Sequence, residues 1–230
     1  MIPRQLEPEV MDSEAEATDY DAIDHREVNR KFVDDLLAFE RPTGRILDLG
    51  CGTALIPIEL CRRAPAARVV GVDFGEAMIA LGRKNVATAS LEQAIRLELA
   101  DAKHLPFADG HFDAVISNSI VHHIPEPREV LDEALRVLAK DAAVFVRDLM
   151  RPPDERTLDE LVATYAGDST PPQRRMFAES LHAALTLDEM RELVKELGFA
   201  AQSVQATSDR HWTWAVRRGG QENASRPVRG

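Results

Sequence analysis

ILDLGCGTA, running from Ile46 to Ala54, is the stretch on which the fold turns. Its apolar run stops at Leu49 against Gly50 and Gly52, which reads as a buried strand ending in a tight turn. Residues 53–63 then read as a helix, with Pro57 a weak spot inside it. Glycine at both turn positions permits positive φ and lets a ligand approach bare backbone. A tight strand–helix turn without a ligand carries the same mark, so chemistry has to decide. A dinucleotide site needs GxGxxG, and Leu55 stands where the third glycine belongs. Asp48, just ahead of the turn, repels phosphate and attracts an ammonium group. The turn suits a ligand that is cationic where it meets the backbone.

Outward from that turn, helices and strands alternate. Val28, Phe32, Val33, Leu36, Leu37 and Phe39 repeat at helical spacing and predict a helix over 22–40, ended by Arg41-Pro42-Thr43-Gly44. Further strands are expected over 68–72, 95–100, 112–118 and 143–148, with helices over 76–86 and 128–139 between them. Such alternation means βαβ units and a parallel sheet covered on both faces. Right-handed crossovers make it doubly wound, with its site outside the carboxyl ends of the strands. After Asp148 the order changes. Residues 152–198 read as a helical insert broken near Gly167 and Pro171-Pro172, followed by short strands over 202–206 and 211–216. The domain is taken as 22–216. The acidic stretch 1–21 is expected to be flexible, and 217–230, without periodic pattern, to be disordered.

Composition narrows the function. The chain has 230 residues with 44% hydrophobic and 29% charged, ordinary for a globular domain that needs no disulfide or metal staple. No apolar run approaches the roughly 20 residues of a membrane span. The N-terminus has no apolar secretory core, which favours the cytoplasm. A net charge of −11 disfavours nucleic acid as a partner and favours a small molecule. Cys51 and Cys61 form no CxxC pair, so neither a metal cluster nor a disulfide framework is expected.

Two further carboxylates join Asp48. VVGVDF places Asp73 at the tip of the second strand, where it can grip a ribose diol, and LELAD places Asp101 at the next tip. Each alone reads as a loop carboxylate or helix cap. Three at successive strand tips fit a nucleoside with a cationic tail.

ILDLGCGTA, VVGVDFGEAMI, LELADAKHLPFADGHFDAVISNSIVHHI and VLDEALRVLAKDAAVFVRD together resemble the class I, seven-strand, S-adenosylmethionine-dependent methyltransferases, nearest the ubiquinone and menaquinone biosynthesis group. The motifs run from about Arg45 to Asp148. The resemblance implies an α/β fold: a doubly wound, mostly parallel seven-stranded sheet with an antiparallel last strand and the helical insert before strand six. It implies S-adenosylmethionine as cofactor and a small-molecule methyl acceptor. Asp48, Gly50 and Gly52 would then lie along the methionine moiety, and Asp73 would bind the ribose. Phe74 and Met78 would flank the adenine, with Asp101 accepting from its amino group beside Ala102. Asn118 would stand by the sulfonium, and Tyr20 would close over the cofactor. Two departures stand out: Ala54 where many relatives have a third glycine, and Lys140-Asp141-Ala142-Ala143 where they have Gly-Gly.

On the acceptor side, His122 and His123 are the candidates for a general base, although the pair recurs in the family and packing explains it equally. Arg147 and Asp148, with Arg151 near them, read either as a polar acceptor site or as a hinge ion pair under a lid formed by 152–198. The antiparallel last strand would bring Arg210 and His211 to the mouth of the site, with Trp212 and Trp214 facing core. Two rival readings are a cofactor-binding module without catalysis and a tRNA or protein methyltransferase. A nicotinamide dehydrogenase is the weakest.

Overall fold

In a computed structural model, residues 2–7, 17–18, 21 and 26–219 are described. Helix α1 (Arg26–Phe39) leads into β1 (Gly44–Leu49), α2 (Leu55–Arg63), β2 (Ala67–Asp73), α3 (Glu76–Thr88), β3 (Ile95–Leu99) and β4 (Phe112–Asn118). Then come α4 (Pro127–Val137), β5 (Leu138–Leu149), α5 (Glu155–Ala166), α6 (Pro171–Ala183), α7 (Leu187–Glu196), β6 (Val204–Ala206) and β7 (His211–Arg217). The seven strands form one sheet in the order β3-β2-β1-β4-β5-β7-β6. Strands β1 to β5 pair in parallel, and β7 runs antiparallel to both β5 and β6. The order reverses between β1 and β4, the place where a doubly wound sheet opens a crevice at its carboxyl edge.

Alternation along the strands divides the core. Ile46, Val69, Ile116 and Phe145 pack under Phe32, Leu36, Ile58 and Ile79 of the first three helices. Leu47, Val72, Val115 and Val144 pack on the other face with Leu131 of α4, Met190 and Val194 of α7, and both tryptophans. Trp212 and Trp214 are fully buried, as their alternation predicts.

Several boundaries moved for local reasons. Strand β5 starts at Leu138 rather than 143, because Asp141 adopts a left-handed φ of 64° and the register to β4 shifts there. Aspartate tolerates that conformation better than most residues, which lets the turn form without glycine. Residues 201–203 form a 3₁₀ turn, which leaves only Val204–Ala206 as strand.

The helical insert is not one lid. Asp154, Thr170 and Thr186 cap its three helices, the last two with reciprocal capping boxes. Helices α5 and α6 bury Leu158, Leu161 and Leu181 in a small cluster of their own. Helix α7 belongs to the main core through Met190 and Val194.

Residues 2–7 are docked, contrary to the expectation of a flexible start. Ile2 enters the α5–α6 cluster. Arg4 donates from Nε to Ala183 O (2.7 Å), from Nη2 to Ile124 O (2.9 Å) and from Nη1 to Pro125 O (3.1 Å). These bonds go to backbone carbonyls and need no side-chain periodicity, so a pattern search is blind to them. At the other end, Arg218 donates its backbone N–H to Ala142 O (2.9 Å), so the tail is placed through Gly219 and the rest lies outside the described residues. Among the described residues, no helix is long and apolar enough to cross a membrane.

Candidate active site

The crevice opens at the carboxyl ends of β1, β2 and β4, with about 790 Å³ of space including its mouth. Its floor is the glycine turn: Gly50 and Gly52 have φ of 66° and 51°. A Cβ on Gly50 would lie 2.9 Å from the Ile120 side chain, so only glycine lets β1 pass under the loop after β4. Ala54, at the start of α2, holds φ of 65°, a left-handed conformation that favours glycine. Asp73 closes the turn, accepting from Gly52 N–H and Gly75 N–H, each at 2.9 Å.

The electrostatics are one-sided. Asp48 is 2% exposed, and burial pushes its carboxyl well above the usual carboxylate range, with the charge of Asp73 adding to the shift. Burial also raises Asp73, against the backbone bonds from Gly75, Gly52 and Phe74. Asp48 lines a recess with Thr53 that shares Gly50, Gly52 and Asn118 with the main crevice. Asn118 Oδ1 and Thr53 Oγ1 are buried there without a hydrogen-bond partner. Buried polar atoms left unpaired beside two carboxylates that have no cation partner among the described residues suit a polar, cationic ligand.

Further along, the crevice is lined by Phe74, Met78, Asp101 and Ala102. Phe74 is 53% exposed, a large apolar ring offered to a flat partner. Burial pushes the Asp101 carboxyl up, but the backbone and ammonium bonds from Lys103 hold it below its ordinary value.

The histidine pair splits. His123 borders the crevice and His122 does not. His122 is buried with Nδ1 2.5 Å from Asp148 Oδ1 and Nε2 3.3 Å from Glu7 Oε1. Burial lowers the proton affinity of His122, and the carboxylates of Asp148 and Glu7 more than reverse that. Asp148 Oδ2 also accepts from Val121 N–H (2.5 Å) and His122 N–H (3.2 Å). His123 Nδ1 stands 3.1 Å from the same Glu7 oxygen. Glu7 is the residue that sequence reasoning missed; a lone glutamate in an aperiodic acidic stretch carries no signal.

The other candidates lie elsewhere. Arg147 and Asp148 do not pair, because neighbouring strand residues point to opposite faces of the sheet. Arg147 donates instead to Thr213 Oγ1 (2.9 Å) and Asp35 Oδ2 (2.7 Å), outside the crevice lining. Arg151 binds Glu189 (2.5 Å). Arg210 and His211 sit at the carboxyl edge, where His211 is opposite Leu149, yet neither lines the crevice. Arg210 stacks on Tyr165 at 3.3 Å from the ring centroid, and Tyr165 donates to Asp209 (2.6 Å). Burial, with Arg210 and Arg147 nearby, lowers the pKa of His211 to about 4. Tyr20 lies outside the described residues.

Comparison with known proteins decides the family. A methyltransferase domain model matches residues 47–146. The malonyl-[acyl-carrier protein] O-methyltransferase of Geobacter sulfurreducens is 33% identical over 194 residues, covering 82% of this chain and 68% of that protein. The chain belongs to the class I S-adenosylmethionine-dependent methyltransferases. A demethylmenaquinone methyltransferase of Thermus thermophilus is 40% identical over 124 residues, 54% of each chain, so this match spans about half that relative's length. The solved structure of a putative S-adenosyl-L-methionine-dependent methyltransferase from Methanococcus maripaludis shares the fold at TM-score 0.72 and 17% identity, covering 95% of this chain and 99% of that one. The methyltransferase domain match holds the glycine turn, the three strand-tip carboxylates and the histidine pair, and leaves out Glu7 and everything after β5.

Proposed function

We propose that the chain transfers a methyl group from S-adenosylmethionine to a small-molecule acceptor by in-line displacement. The observation that carries this reading is the buried Asp48 and the half-buried Asp73 on either side of the glycine turn, neither with a cation partner among the described residues. The cofactor supplies an activated methyl on a sulfonium sulfur. Asp48 and the bare backbone at Gly50 and Gly52 hold the cationic methionine end. Asp73, already fixed by two backbone amides, presents its remaining lone pairs to the ribose diol. Phe74 and Met78 flank the adenine, and Asp101 with Ala102 reads its edge. Asn118 offers its unpartnered oxygen near the sulfonium.

The chain's task is then to align the acceptor and exclude water. His123 is the base candidate that the geometry favours, since it borders the crevice while both ring nitrogens of His122 face carboxylates. Arg210 and His211 would reach an acceptor only if it extends toward the β7 edge. Both cysteines are free, which agrees with a cytoplasmic enzyme.

Titration calorimetry with S-adenosylhomocysteine, followed by a screen of acceptors with labelled S-adenosylmethionine, tests the reading. Quinols and carboxylates come first, the acceptor types that the relatives' names suggest. We expect one bound ligand per chain and label in a small molecule. An empty titration sinks the proposal; tight binding without transfer to any acceptor favours a binding module.

A further inference from the structure

We propose that Glu7, His122 and His123 form a binding site for one divalent transition-metal ion on the wall of the crevice. One ligand atom from each of the three side chains lies within 4.8 Å of the others. Glu7 Oε1 is 3.3 Å from His122 Nε2 and 3.1 Å from His123 Nδ1. Donors about 2.1 Å from one ion stand about 3.0–3.4 Å apart at octahedral to tetrahedral angles. These two separations fall in that range, and the two imidazole nitrogens, within 4.8 Å of each other, complete the set.

The surroundings of the ligands are those of a built site. His122 is 3% exposed, and its Nδ1 is held by the buried Asp148 at 2.5 Å. That bond fixes the ring and aims the Nε2 lone pair at Glu7, the carboxylate–histidine arrangement that orients metal-ligating imidazoles. Asp148 is itself fixed by the Val121 and Leu149 amides, at 2.5 and 2.6 Å. On the other side, Ser180 Oγ donates to Glu7 from 3.2 Å, so the carboxylate is oriented by α6 as well. Two carboxylates, Asp148 and Glu7, supply negative charge around the imidazole pair. The opposing cation is Arg4, whose guanidinium is engaged with the carbonyls of Ala183, Pro125 and Ile124.

The donor set names the class of ion. Two imidazoles and a carboxylate suit zinc, cobalt, iron, nickel or manganese over magnesium or calcium, which prefer all-oxygen sites. Three protein ligands leave positions for water or a further oxygen or sulfur ligand. Because His123 also borders the crevice while its Nδ1 is buried, an ion here would sit behind the crevice lining, one imidazole ring from it. The expectation of no metal rested on cysteine spacing and could not include Glu7.

The test uses the full chain, stripped with chelator and titrated with zinc chloride by calorimetry and with cobalt(II) chloride by visible absorption. We expect one ion per chain, with a ligand-field band for cobalt. Glu7→Gln and His123→Asn should each weaken binding at least as much as loss of an outer-shell partner, about 10–100-fold. His104→Asn, at an exposed histidine elsewhere, should leave it unchanged. Far-ultraviolet circular dichroism of each variant checks folding, and the two ligand variants avoid disturbing the buried His122–Asp148 pair. Absence of stoichiometric binding, or affinity indifferent to both ligand variants, overturns the proposal. No methyl donor enters the assay, so a negative result leaves the methyl-transfer reading standing.

Discussion

The two sides of the carboxyl edge treat buried charge in opposite ways. At the tips of β1 and β2, Asp48 lies buried in the field of Asp73 with no offsetting contact, and Asp73 has backbone amides as its only relief, among the described residues. Beyond β4 every buried charge has a partner: Asp148 with His122, Arg147 with Asp35, Arg151 with Glu189. A buried charge without a counter-ion costs the free protein several kcal/mol and persists where a ligand completes it. A paired one is architecture. Charge on one side is therefore left for a ligand to complete, while on the other it fixes helices and loops to the sheet.

Four substitutions sharpen or break this contrast. The largest effect is expected at Asp148→Asn. Each Asp148 oxygen serves two donors, the Val121 and His122 amides on Oδ2 and the His122 ring and Leu149 amide on Oδ1, so an asparagine NH2 in place of either leaves two donors without their acceptor. Breaking the pair should destabilise the fold by about 3–5 kcal/mol in urea denaturation; a loss under 1 kcal/mol would mean the pair is not architectural.

Next is His211, whose pKa falls from 6.5 to about 4 on folding. Between those values the unfolded chain binds more protons than the folded one, so stability drops as pH falls through the window. His211→Asn should remove up to about 3 kcal/mol of that acid sensitivity. Melts at pH 7 and pH 4.5 that change in parallel for both proteins would count against it.

The third is Asp73→Ala. Charge-assisted bonds of about 1.5–3 kcal/mol predict a tenfold to somewhat over hundredfold loss of S-adenosylhomocysteine affinity. Some stability goes too, since the carboxylate also fixes Gly52 and Gly75. Unchanged affinity in calorimetry removes Asp73 from the site.

Smallest, and opposite in sign for stability, is Asp48→Asn. The free protein should become more stable at neutral pH, by about 0.5–2 kcal/mol as for other relieved functional sites, while cofactor affinity falls. Its folded-state carboxyl is raised, so the penalty is full at high pH, begins to shrink where folded wild-type Asp48 takes up a proton, and is gone below the ordinary carboxylate range. A variant that is less stable at pH 8 refutes the idea that this side stores unpaired charge.

Much of the fold and of the glycine-floored crevice could be read in the sequence because local signals carry it. ILDLGCGTA has a strand, a turn and a helix start within nine residues, and Asp73 and Asp101 follow from strand tips that periodicity locates. The other half depends on contacts between distant residues. Arg147 looks identical in sequence whether it meets Asp148 or Asp35, and only the alternation of β5 against α1 decides. Glu7 reaches His122 across 115 positions through a segment whose bonds are mostly to backbone, a distance that no window of residues spans.

Ile2, Arg4 and Glu7 link the α6 end, the turn after β4 and the histidine pair. Removing residues 2–7 therefore reaches straight to His123 without touching the sheet, so a change far from every strand can be felt in the crevice wall.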